Sequence, residues 1–316
     1  MHRRDFIRLA VGAATTVPLA GPVFAEQKTR KLLLIHGRGQ QNLDPDQLKK
    51  NWLNALNRGL TADGKTLRAD VDVAFPYYGD VLDHFTTAAD IPLTSDVQSR
   101  GSQDDDFLRF QAEVAEELRT QAGITNAQID AEYGNDPEPR GPLNWKWVQA
   151  ILRAIDKNGH GMNQRAIEVF TRDVYLYSTR SGVRDAIDAI VTKKLSEEPT
   201  VVIGHSLGTV VAYSVLTRDT RAIKVPLLVT VGSPLGVRAI RNQFIPIQSP
   251  PSVKSWYNAY DPRDVVALYP LDHSSFPVTP PINNYGKVKN HTDNRHGIDG
   301  YLDDPDVAGK IASRLA

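Results

Sequence analysis

The stretch TVVIGHSLGTVVAYSVL, residues 200–216, sets a Gly-His-Ser-Leu-Gly core between a β-branched apolar run and a segment of helical character. Thr200, Val201, Val202 and Ile203 have the unbroken apolar character of a strand buried on both faces of a parallel sheet. The residues from Thr209 to Leu216 continue as a helix packed on that sheet. A strand that turns sharply into a helix at G-x-S-x-G is the setting of a nucleophile elbow. Gly204 and Gly208 are needed there because a side chain at either would strike the neighbouring strand or helix. Ser206 is then expected in a strained backbone geometry at the helix N-terminus, with its hydroxyl above the sheet. A glycine-rich turn carrying an inert serine is the plainer alternative, and the flanking strand and helix favour the nucleophile.

Outward from this stretch, strand-like runs alternate with helical periodicity. KLLLIHG, VDVAFP, VPLLVTVGSP and VKSWYNAY read as strands, with a weaker one around NYGKVKN. DPDQLKKNWLNALNRGL reads as a helix capped by Asp44 or Asp46, and DPDVAGKIASRL as the last helix. This order predicts an α/β fold, doubly wound around a mostly parallel sheet. Between residues 79 and 176 the rhythm breaks. DDDFLRFQAEVAEELRTQ and NWKWVQAILRAI are amphipathic helices there, and we read the segment as an inserted helical cap. Phe107, Phe110, Val114 and Leu118 on one helix, and Trp147, Ile151 and Ile155 on the other, must pack on the sheet, on each other or on substrate. Asp104, Asp105 and Asp106 suit a helix start better than a metal.

Residues 1–25 read as a signal peptide: Arg3 and Arg4, a short apolar run interrupted by Pro18 and Pro22, and a small-x-small cleavage signal at Val23, Phe24 and Ala25. The paired arginines resemble the twin-arginine export signal of bacteria, which implies a periplasmic protein with no stable membrane span after signal removal. About 290 residues then remain, enough for one large domain over 26–316. The formal net charge is zero, so nothing draws the chain toward nucleic acid. With no cysteine there is no disulfide, thiolate metal site or cysteine nucleophile.

A serine hydroxyl needs a base, and the base an acid to orient it. In a sheet of this kind the reacting groups gather at the carboxyl ends of strands. Asp261 and Asp264 follow the strand in SWYNAYDPRDVVAL, and His273, His291 and His296 lie beyond them. The residues alone leave both choices open.

The stretches LLLIHGRGQ, VVIGHSLGTVVAY, VTVGSPLG, YDPRDVVA and NRHGIDGYL resemble the α/β-hydrolase fold, particularly its lipase and esterase-like serine hydrolases, over most of the mature chain. The serine, acid, histidine order is the one that family uses. The resemblance points to Asp264 as acid, with Asp261 as alternative, and to His296 as base, with His291 as alternative. It implies an oxyanion hole from the backbone N–H of Leu207 and of Gly37 or Arg38, with His36 shaping that loop and His205 a usual occupant of the elbow. The position of the insertion departs from lipases that carry their lid after the strand following the nucleophile, so substrate class does not transfer.

The function these readings predict is hydrolysis of an ester, thioester or lipid acyl bond through a Ser206 acyl-enzyme, with no metal and no organic cofactor. Peptidase or acyltransferase chemistry would use the same residues. A non-catalytic, hydrolase-like binding protein of the envelope is the alternative outside enzymes.

Overall fold

Along the first strand, Leu32 and Leu34 face one side and Leu33 and Ile35 the other, and all four are buried. Val201 and Ile203 repeat this against Val202 in the nucleophile strand. A strand apolar on both faces needs helices on both faces, each buried aliphatic side chain contributing roughly 1.5–3 kcal/mol. The computed structural model, which describes residues 30–97, 104–158 and 163–315, has that layering. The leader expected over residues 1–25 lies outside the described residues.

Six strands form one all-parallel sheet: β1 (Lys31–Ile35), β2 (Asp72–Ala74), β3 (Thr200–His205), β4 (Leu228–Val231), β5 (Trp256–Ala259) and β6 (Asn283–Tyr285). Their spatial order is β2-β1-β3-β4-β5-β6. The chain first winds outward from β1 to β2, then returns to β3 on the other side and continues to β6. The winding therefore reverses between β1 and β3, where Leu33 stands beside Val202 and Ile35 beside Gly204. Such a reversal opens a crevice at the strands' carboxyl ends. The fold is α/β and doubly wound, as its strand and helix order predicts.

One face carries α1 (Pro45–Thr61), α10 (Asp299–Leu302) and α11 (Pro305–Ala312). Asp44 caps α1 by accepting from the Asp46 N–H, with Pro45 opening the helix, and Trp52, Leu56 and Leu60 bury its inner side. The other face carries α8 (Leu207–Arg218), with α7 (Ser181–Thr192) packed on it. Between β2 and β3 the chain runs through α2 (Gly79–Ala89), α3 (Asp105–Gln121), α4 (Asn126–Tyr133), α5 (Trp145–Asn158) and α6 (Gln164–Thr179) before α7. The short α9 (Arg238–Arg241) follows β4 and meets α3 and α6. Asp104 caps α3 through the Phe107 N–H at 2.7 Å.

The apolar sides of α3 and α5 point inward. Phe107, Phe110, Val114, Leu118, Ile151 and Ile155 are buried in the same core as Leu33, Ile35 and Val202, and Trp147 is packed against it. Of the partners open to these faces, the structure supplies two: they pack on each other and on the sheet side of the molecule. Of the described helices between β2 and β3, α6 reaches the crevice. Its Asp173 accepts from Arg38 Nε, in the loop after β1, at 2.7 Å. Asp173 is buried, which pushes its carboxyl above the usual carboxylate range while Arg38 pulls it down.

Removing Arg38 would leave that buried carboxylate without its hydrogen-bonded cation and with Arg172 Nε alone, 3.9 Å from Asp173 Oδ1. Arg38→Met should cost about 3 kcal/mol of stability at neutral pH. Asp173, having lost its hydrogen-bonded partner, relieves the cost by taking a proton, so the deficit against wild type should shrink as pH falls toward 4 and widen toward 8. Denaturant melts across that range read it directly. Arg38→Met/Asp173→Asn should recover stability at pH 8; a deficit independent of pH would show that the pair carries no buried charge.

Candidate active site

At the end of β3 the backbone turns at Ser206, whose φ of 55° and ψ of −128° lie where non-glycine residues are rarely found. The turn must be this tight because α8 leaves it directly across β1. A Cβ on Gly208 would stand 2.2 Å from the carbonyl oxygen of Ile35, and one on Gly204 would stand 2.7 Å from that of Gly208. The elbow is held below by the Ser206 N–H, donating to Val231 O at 3.1 Å. Strain of this kind persists where surrounding contacts over-determine it. It lifts the hydroxyl of a 2 % exposed serine to the mouth of the crevice.

There Ser206 Oγ lies 2.8 Å from His296 Nε2, and His296 Nδ1 lies 2.7 Å from Asp264 Oδ2. Asp264 is brought there by the turn after β5, with its Oδ1 accepting from the Val266 N–H at 2.8 Å. His296 sits in the loop before α10. Its N–H donates to Asn294 Oδ1, and its carbonyl accepts from His205 Nε2 at 2.7 Å. Of the two aspartates and three histidines left open by sequence, these are the ones brought to the serine.

The others do different work. Asp261 is buried and accepts from the Asn290 N–H and from the N–H and guanidinium of Arg263. Asn290 in turn donates its side-chain amide to Gly297 O, so Asp261 steadies the histidine loop from below. His291 is exposed and pairs with Asp303 at 2.8 Å, and His273 is exposed.

A family described as serine aminopeptidase, S33, matches residues 149–316, more than half of the chain. The chain belongs to that family. A search of curated proteins gave no match. Ser206, Asp264 and His296 fall inside the S33 match, whereas the loop after β1 lies before it. The sheet, its order and its flanking helices are those of an α/β-hydrolase.

In this S33 family member, the loop after β1 is pressed against the serine. A Cβ on Gly37 would stand 2.9 Å from Ser206 Cβ. His36 shapes the loop: its Nδ1 donates to Gly37 O at 2.7 Å while its Nε2 accepts from the Tyr78 N–H at 3.0 Å. Those partners fix a neutral tautomer, and burial holds the ring's pKa down at about 4. His205 is likewise pushed down to about 3, first by desolvation and then by His296. Its ring centroid lies 4.9 Å from that of His296, so its neutrality leaves His296 free of a like charge. Leu207 opens α8, where a backbone N–H has no acceptor one turn back.

Above Ser206 lies a cleft of about 470 Å³. Arg38, Gln40, Asn294 and Asp299 give it a polar rim, Trp52 and Ile298 an apolar side, and Ala166 and Phe170 of α6, with the capping residue Asn163, its roof. The sequence reading did not delimit α6 as a helix. Tyr301 was also missed, although it stands inside the stretch NRHGIDGYL. Its hydroxyl donates to Asp264 Oδ2, the oxygen that His296 uses. Burial, and then the Asp264 charge, push its pKa well above the ordinary tyrosine value, so it stays a donor.

Tyr301 therefore positions Asp264. Tyr301→Phe should keep the fold and the KM and lower kcat about tenfold, the worth of one hydrogen bond to a charged group. Steady-state kinetics on a short ester measure it, and an unchanged kcat would leave Tyr301 as packing alone.

Proposed function

We propose that this serine hydrolase cleaves carboxylic esters through an acyl-enzyme on Ser206. The observation that carries the reading is the unbroken hydrogen-bonded line from Ser206 Oγ through His296 to a buried Asp264. His296 Nε2 takes the hydroxyl proton as Ser206 Oγ bonds to the ester carbonyl carbon. The resulting oxyanion is met by the N–H of Leu207 and that of Gly37 or Arg38. Collapse breaks the bond to the alkoxy oxygen, which leaves as the alcohol with the proton from His296. Water then attacks the acyl-enzyme, gives its proton to His296, and releases the carboxylic acid while Ser206 regains a proton. Asp264 holds the ring and balances the imidazolium charge.

The family's name raises aminopeptidase chemistry as a second reading. An aminopeptidase must hold the substrate's terminal ammonium with an available negative group. Among the described residues that line the cleft, the carboxylate is Asp299, and Arg58 already bonds it at 2.8 Å. That pairing favours an uncharged ester. We further propose that residues 1–25 export the protein and that the reaction takes place in the periplasm.

Ser206→Ala and His296→Ala should each lower kcat on a short ester by roughly 10⁴-fold or more, and the double variant should be little worse than either. Asp264→Asn should fold and lose most turnover, whereas Asp261→Asn should lose less. Faster turnover of amino-acyl anilides than of esters would favour the peptidase reading, and full activity in Ser206→Ala would end both.

A further inference from the structure

Phe170 lies on the side of α6 that roofs the cleft, in line with Asn163 and Ala166 at spacings of three and four residues. Directly behind it is a second, wholly apolar cavity of about 10 Å³, lined by Val114, Leu118, Ile167, Val237, Val265, Val266 and Leu268. Among the described residues, Phe170 alone lines both spaces. Val265 and Val266 follow Asp264 directly, so the second cavity lies close behind the acid that orients His296. As it stands it has room for about one water-sized sphere, and with no polar group in its lining it offers water no partner.

We propose that Phe170 is the residue that sets acyl-chain length: it closes an aliphatic compartment behind the cleft and so restricts the acyl group on Ser206 to short chains. This rests on the ester-hydrolase reading of Ser206. An aliphatic chain directed from Ser206 toward α6 meets the phenyl ring, while everything beyond the ring is hydrocarbon. Space opened there would be lined by aliphatic side chains and would favour each added methylene of an acyl chain.

The test compares Phe170→Ala and the milder Phe170→Leu with wild type, using short and long alkyl fluorophosphonates, which label a nucleophilic serine whatever its natural substrate. The matching acetate and octanoate esters are measured in parallel. Wild type should react faster with the short reagents. Phe170→Ala should raise the long-to-short ratio about tenfold or more, with Phe170→Leu between. Phe170→Ala/Val114→Phe, which refills the compartment from α3, should return the ratio toward wild type. Labelling at Ser206 with an unchanged ratio in both single variants would overturn the role of Phe170 while leaving the nucleophile standing. No labelling by either reagent in folded wild type would overturn the hydrolase reading, and the inference with it.

Discussion

The contact on which the rest depends is the crossing of the β3–α8 turn over the end of β1, where Gly208 comes so close to Ile35 O that no Cβ fits. That closeness forces Ser206 into its left-handed backbone geometry and puts Gly37 against it from the other side. The crossing lies where the sheet's winding reverses, so the serine and the loop after β1 share one crevice without further shaping. The strain is held by a fully buried surround: Val202, Ile203, Leu207 and Val211 are all without exposed surface.

The second constraint is the chain of bonds that fixes the histidine loop. Asp261 holds Asn290, Asn290 holds Gly297, His205 holds the carbonyl of His296, and Tyr301 shares Asp264 with the imidazole. Two acidic residues three positions apart thus divide the work. Asp264 meets the ring, and Asp261 meets the backbone that carries it. Neutral His205, its ring beside that of His296, adds no positive charge there.

Much of this was legible in the sequence because it rests on local chemistry. β-Branched runs mark the strands, aspartate before proline marks the starts of α1 and α11, and the elbow glycines follow from sterics. The choice between Asp261 and Asp264 was not legible from the residues alone, since both follow β5 and only three-dimensional direction separates them. The helix α6 was hidden because its apolar positions include many β-branched and aromatic residues, Ile167, Val169, Phe170, Val174, Tyr175 and Tyr177, which suit a strand as well as a helix. Tyr301 was hidden for another reason: a tyrosine on a short helix reads as packing until a carboxylate is found at its hydroxyl. The inward turn of α3 and α5 was equally invisible, because amphipathicity says that a face is covered and not by what.

The measurement that tests the central claim most directly is mass spectrometry of the protein quenched in acid while turning over p-nitrophenyl acetate. The account predicts one acetyl group per chain on the peptide containing Ser206, lost on further incubation at neutral pH as the acyl-enzyme hydrolyses. Turnover without an adduct, or an acetyl group carried on a different residue while Ser206 stays free, would contradict it.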